Sequence, residues 1–345
     1  MTNASRSFSI SRLTVWVWRY LVPFLLLGLA VHLMLLQLTT FNHALKIIRE
    51  MIPLAVILAV AAQVTSYLGS GYLLQAIVTI VGQRLSVVYG TVITTAASSI
   101  GLVAGGLVGS VAATYRWLRD SGVSAEGAIL AGWLPTLFNN GALIVVTVVG
   151  LPYLLIVHKL STLQAVSFGL ILLILSLFII GILWGLRHRP QLTAFAIRVS
   201  SRWARLRNRP YDPAATKAAI GHWFSALDVL RTGGWHGPAV GAALNVFFDM
   251  LTLYLLFIAA SHAVSPGILL VGYGFPQLLG KVTFLPGGVG VVEGTMAVMY
   301  DSLGVPDPIS LVVILTYRVI SFWLPTLLGF LLIPYLHRLS SNTTH

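Results

Sequence analysis

Cysteine is absent from the 345 residues, and acids are few: nine Asp and Glu stand against 21 Lys and Arg. The first absence excludes disulfides, thiol nucleophiles, zinc fingers and iron–sulfur sites. The second belongs to a wider scarcity, because only 9% of the residues are charged, where an ordinary globular chain carries about a quarter. A surface so poor in charge cannot face water. The space is filled instead by apolar residues, 57% of the chain, at a mean hydropathy of +0.90. Disorder, a coiled coil and a pair of soluble domains are excluded together, which leaves an all-α polytopic membrane protein, a single membrane domain over residues 1–345. Catalytic signatures are also missing. There is no HExxH, no phosphate-binding GxxxxGK[ST] and no GxSxG elbow, and the nine histidines show no metal spacing. No metal, no cofactor and no enzymatic activity are expected.

The formal charge of +12 is unevenly spread. Residues 187–231 hold nine Lys/Arg and two Asp. Beside a membrane, such a segment marks the cytoplasmic side and attracts anionic lipid head groups. Nucleic acid is not an expected partner, because no reading module or aromatic-interleaved basic groove is present. Within the segment Leu192, Phe195, Val199, Trp203 and Leu206 recur at helical spacing, and Arg198, Arg202, Arg205 and Arg209 follow their own three-and-four rhythm. That pattern describes a basic amphipathic helix lying in the interface. Asp212-Pro213 reads as the cap and first turn of a second helix. The competing reading is plain topology-setting charge.

An apolar run of about 20 residues crosses a bilayer as a helix. Six full crossings are read, at 15–38, 51–70, 125–150, 163–186, 237–262 and 308–336. Two further apolar stretches are too rich in helix-weakening glycine and proline to be simple spans: SSIGLVAGGLVGS at 98–110 and FLPGGVGVVEG at 284–294. Irregular backbone at membrane depth survives only when buried in protein or lining a watery cavity. Both stretches are therefore read as re-entrant hairpins, turning at Gly105-Gly106 and at Pro286, Gly287, Gly288 and Gly290. The alternative is a pair of ordinary helices packed through small residues, since Gly101, Gly105 and Gly109 also satisfy GxxxG. With 187–231 inside, both termini are cytoplasmic, the first hairpin opens from the cytoplasmic side and the second from the outer side.

The chain also repeats itself. YLL at 72–74 recurs at 254–256, Gly105-Gly106 at Gly287-Gly288, and Gly122-Val123 at Gly304-Val305, all at one offset. WLPTL at 133–137 returns as WLPTL at 323–327 after a short gap. The first repeat is placed at 51–150 and the second at 237–336. Three crossings separate the hairpins, so the halves have opposite orientation. Inverted repeats with broken helices are the architecture of alternating-access carriers.

A charge at the bilayer centre costs about 2.5–3.5 kcal/mol on insertion scales, so each one retained there needs a reason. Asp249 lies in LNVFFDMLTLYLL with Asn245 one turn earlier. Arg318 lies in the last span beside Tyr317, Glu293 follows the second glycine turn, and Lys281 precedes it. One reading makes these residues a polar cluster that binds substrate, the acids taking a cationic head group and the arginine a phosphate. The other makes Arg318 a neutralising partner for an acid. Arg116 and Arg119, after the first hairpin, are candidates for a cytoplasmic phosphate-capturing gate or simply a solvated turn. Asn139-Asn140 are more simply interhelical glue.

PGGVGVVEG at 286–294, followed by a long apolar helix with one arginine, resembles the membrane region of lysylphosphatidylglycerol synthases, the flippase-like family that includes multiple peptide resistance factors. The resemblance is sharpest from Pro286 to Glu293 and extends loosely over about 50–338. It implies movement of an anionic or aminoacylated phospholipid between leaflets of the plasma membrane, with Glu293 and Arg318 at positions that match the family pattern. In that family a separate soluble domain makes the lipid. This sequence ends at His345 without one, so lysyl transfer is not expected, and a separate lipid-synthesising enzyme is one partner left open, as is a homo-oligomer. The alternatives are a small-solute or ion-coupled carrier, or the membrane subunit of a lipid-modifying transferase.

Overall fold

Residues 46–157, 188–206, 234–282 and 286–342, with scattered positions between 162 and 187, are described by the computed structural model, and every regular element among them is helical. The expected span at 15–38, most of that at 163–186, Arg209, and the second helix after Asp212-Pro213 lie outside the described residues. In chain order the helices are α1 (Pro53–Ile80), α2 (Val87–Val103), α3 (Leu107–Asp120), α4 (Ala125–Val157), α5 (Arg189–Leu206), α6 (His236–Ala259), α7 (Pro266–Val282), α8 (Val291–Ser302), α9 (Asp307–Arg318) and α10 (Leu324–Asn342), with a π segment, Val319–Trp323, joining the last two. Among the described residues four stretches are long and apolar enough to cross a membrane: Pro53–Ile80, Ala125–Pro152, His236–Ala259 and Asp307–Arg338. The chain is a multi-pass membrane protein. Its outer faces agree, with Leu54, Ile57, Val64, Phe247, Leu327 and Leu331 all exposed.

The non-helical backbone is shorter than the glycine content suggests. In the first hairpin only Ala104–Gly106 leave the helix, and residues 98–103 and 107–110 are helical. A glycine inside a helix costs up to about 1 kcal/mol relative to alanine. Here the glycines permit the turn to close: a Cβ on Gly101 would lie 2.9 Å from the Gly106 carbonyl oxygen, and one on Gly109 2.7 Å from that of Ala104. Gly105 and Gly106 take φ of +90° and +69°, and their counterparts Gly287 and Gly288 take +66° and +64°. Gly122 and Gly304, which close α3 and α8, take +85° and +84°. The left-handed turns thus recur where the two halves of the sequence match.

The halves meet along α1 and α6, their first helices. The Ile52 amide donates to the Ala259 carbonyl at 3.0 Å, Thr252 Oγ1 to the Ala59 carbonyl at 3.3 Å, and Ser66 Oγ to the Asn245 carbonyl at 2.9 Å. A Cβ on Gly241 would lie 2.6 Å from Leu73 Cα. As one number rises the other falls, so α1 and α6 run antiparallel. Each hairpin then crosses to the last helix of the other half, α2 on α10 and α7 on α4. Both crossings set a glycine against a hydroxyl: Gly329 faces Thr95 and Ser99, and Gly274 faces Thr147. Ser99 also donates to the Thr326 carbonyl at 2.9 Å, so it ties helices together in addition to bonding its own helix. In lipid, packing of this kind replaces the hydrophobic drive that holds soluble helices together. Gly69→Val tests it, because a Cβ there would lie 2.7 Å from the Asn245 backbone nitrogen. A loss of about 1–3 kcal/mol is expected, read as a lowered melting temperature in detergent.

The amphipathic helix of the basic segment is present as α5. Phe195 and Val199 are exposed on it, as are Arg198 and Arg202.

Candidate functional site

Four helices bring polar side chains to one place within the apolar core. On α6, Asp249 Oδ2 accepts two phenolic hydrogen bonds, from Tyr273 on α7 and from Tyr317 on α9, each at 2.7 Å. Gln277 Nε2, one turn beyond Tyr273, donates to the Tyr317 hydroxyl at 2.8 Å. From α1, Gln63 stands beside Asp249, and its Oε1 is buried without a partner. Tyr67, one turn further along α1, donates to the Ser321 carbonyl at 3.0 Å. Four residues on stands Pro325, which has no N–H, so the ordinary α-helical donor to that carbonyl is absent. Tyr67 of the other half supplies a donor to this carbonyl within the π segment.

Tyr273, Gln277 and Lys281 fall four residues apart and form one polar stripe along α7. Tyr273 is fully buried and Lys281 is exposed, so the stripe leads outward from the Asp249 network. Lys281 nonetheless lies close enough to Asp249 to feel its charge. It has no ion-pair or hydrogen-bond partner among the described residues.

The second charged pair is a fastening. Arg318 Nε donates to Glu293 Oε1 at 2.6 Å, and its Nη2 donates to the Gly287 carbonyl at 3.0 Å. The guanidinium lies over the Phe322 ring, 4.3 Å from its centre. Glu293 Oε2 accepts the Gly290 amide at 2.7 Å, the one half of a capping box that a glycine N-cap allows, on the first turn of α8. Both side chains are buried, at 6% and 4% exposure, so the pair is desolvated and its geometry is fully used. Four connections thus converge on one point and lock the glycine turn to the last transmembrane helix.

Of the residues expected to bind substrate, Asp249 and Tyr317 are brought together, Lys281 stands two turns along α7 from Tyr273, and Glu293 and Arg318 engage each other. Asn245 is half-buried, and its Nδ2 donates to the Ser66 carbonyl and hydroxyl at 3.0 and 2.9 Å, so its bonds hold α1 to α6. Arg116 is exposed and lies 4.0 Å from Asp120, and Arg119 donates to the Val123 carbonyl at 2.8 Å, closing the end of α3. Asn139 and Asn140 each leave a buried Oδ1 without a partner, so neither makes the interhelical bond expected through that atom. Gln63, Tyr67, Tyr273 and Gln277 were not foreseen. Among the described residues, no group of three or more His, Asp or Glu is placed to hold a metal.

With this geometry in place, comparison with known proteins points one way. The description of the lysylphosphatidylglycerol synthase transmembrane region matches residues 16–329. A UPF0104 membrane protein of Methanothermobacter thermautotrophicus is 26% identical over 246 residues, 67% of this chain and 70% of that protein. Another match to a UPF0104 membrane protein of the same organism is 33% identical over 87 residues, 25% of this chain and 26% of the relative. A UPF0104 membrane protein of Methanocaldococcus jannaschii is 28% identical over 125 residues, 35% of this chain and 37% of the relative. In these last two matches the chain spans well under two thirds of the relative's length.

Proposed function

The chain belongs to the lysylphosphatidylglycerol synthase transmembrane-region family, and we propose that it is a lipid translocase that passes a charged phospholipid head group between leaflets through the Asp249 cluster. The observation that carries this reading is a polar cluster built inside the apolar helix bundle from both halves of the chain, Gln63 and Tyr67 from the first, Asp249, Tyr273, Gln277 and Tyr317 from the second. Polar groups there are costly and mark substrate paths. The antiparallel α1–α6 pair and the reciprocal packing of the hairpins fit two oppositely directed halves, the arrangement of many alternating-access carriers. In this reading both hairpins are re-entrant, the basic segment 187–231 gathers anionic lipid on the cytoplasmic face of the plasma membrane, and both termini are cytoplasmic.

An intramembrane transferase using Glu293 as general base is less well supported, because both of its carboxylate oxygens are occupied. A sealed solute carrier is distinguished by experiment. Protein reconstituted in liposomes with fluorescent head-group-labelled lipids should expose inner-leaflet lipid to an impermeant quencher, and no acceleration over protein-free liposomes would reject the reading. Asp249→Asn should slow this movement by about tenfold or more while the protein still inserts and folds, since it removes the charge on which two phenols converge.

A further inference from the structure

Four acidic or basic side chains among the described residues stand at or near the cluster, and their partners leave different capacities. Glu293 gives one oxygen to Arg318 and the other to the Gly290 amide. Asp249 Oδ2 is held by two tyrosine hydroxyls, with Gln63 beside the same carboxylate. Arg318 spends Nε on Glu293, Nη2 on Gly287 and its face on Phe322, and it is 4% exposed. Glu293 and Arg318 cannot take a ligand without first breaking an internal bond, whereas both phenolic bonds to Asp249 fall on Oδ2 and leave Oδ1 outside them. Lys281 differs: it is exposed, unpaired among the described residues, and stands at the open end of the stripe whose inner members are Gln277 and Tyr273.

A cationic aminoacyl group entering at the outer end of the stripe would meet the Lys281 ammonium first, ahead of the Asp249 carboxylate at the inner end. A phosphate would meet a cation able to donate three hydrogen bonds, with an amide one turn further in. We propose that the substrate is a lipid phosphate carrying no cationic substituent, and that Lys281 is the residue that receives it. This deepens the translocase reading and rests on it for the step after binding.

Binding and movement are separated in the test. The purified full-length protein is titrated in detergent with phosphatidic acid, phosphatidylglycerol, lysyl-phosphatidylglycerol, phosphatidylcholine and inorganic phosphate, each followed by thermal stabilisation and native mass spectrometry. Anionic lipids are expected to bind, and Lys281→Gln to weaken them about tenfold or more, with Lys281→Arg retaining most of the affinity. Inorganic phosphate alone should stabilise only weakly, because it lacks the acyl chains, and equal binding of free phosphate would make the site one for a soluble anion and overturn the lipid assignment. Preference for the lysylated lipid, or unchanged anionic binding in Lys281→Gln, also overturns it. Selective binding without movement in liposomes would uphold the ligand and reject the translocase reading.

Discussion

Arg318→Ala is expected to abolish lipid movement and to lower stability by about 3–5 kcal/mol, the usual cost of leaving a buried charge without its partner. The structure gives the reason for both effects. Arg318 connects the capped start of α8, the carbonyl of Gly287 and the ring of Phe322 to a single point on α9. Its loss strands the Glu293 carboxylate in a buried position and frees the glycine turn from the helix that follows. Glu293→Gln should be similarly damaging, since it strands the guanidinium instead. Replacing both, with Glu293→Gln and Arg318→Met in one chain, removes the uncompensated charge and should recover a large part of the melting temperature. Movement of lipid should not return, because the neutral pair no longer ties the Gly287 carbonyl. Thermal melting and liposome assays on the three variants check this, and full activity in the double variant would reduce the pair to a packing detail.

Gly288→Val is the second change with a large expected effect. Gly288 holds φ at +64°, a conformation costing a side-chain-bearing residue about 1–3 kcal/mol, more for a β-branched one. A Cβ there would also lie 2.8 Å from Val292 Cγ2 and 2.9 Å from the Gly280 Cα. The second neighbour is backbone and cannot swing aside. Strain and clash fall together at the turn that Arg318 fastens, so both expression of folded protein and lipid movement should fail. Gly304→Ala is the matched control: φ is +84°, yet nothing lies within 4 Å of its Cβ, so only the dihedral strain remains. Comparable loss in the two variants would show that the close approach of Gly288 to Gly280 contributes nothing.

The fold class and the positions of both turns were legible because charge scarcity, glycine pairs and a repeated offset are properties of the linear sequence. Buried charges were legible too, since Asp249, Glu293 and Arg318 stand out in apolar surroundings. What each one does was not, because a charge on a sequence does not name its partner. Glu293 and Arg318 lie 25 residues apart and meet only when α8 folds back along α9. The neutral members were harder still. Gln63, Tyr67, Tyr273 and Gln277 look like ordinary helix residues, and two signals could have found them. Tyr273, Gln277 and Lys281 share one face at four-residue spacing, and Gln63 and Tyr67 occupy the positions in the first repeat that Asn245 and Asp249 occupy in the second. Arg116 and Arg119 drew attention by charge alone, and they serve the end of α3.

The account stands on two oppositely oriented halves, and the absence of native cysteine makes that directly measurable without a background to remove. Arg84, between α1 and α2, and Asp301, near the end of α8, are both exposed. Each is replaced singly by cysteine and probed in intact cells with a membrane-impermeant maleimide. Asp301→Cys should label from outside and Arg84→Cys only after permeabilisation. Labelling of both from the same side would contradict the inversion, and with it the route by which a head group is taken from one leaflet and released to the other.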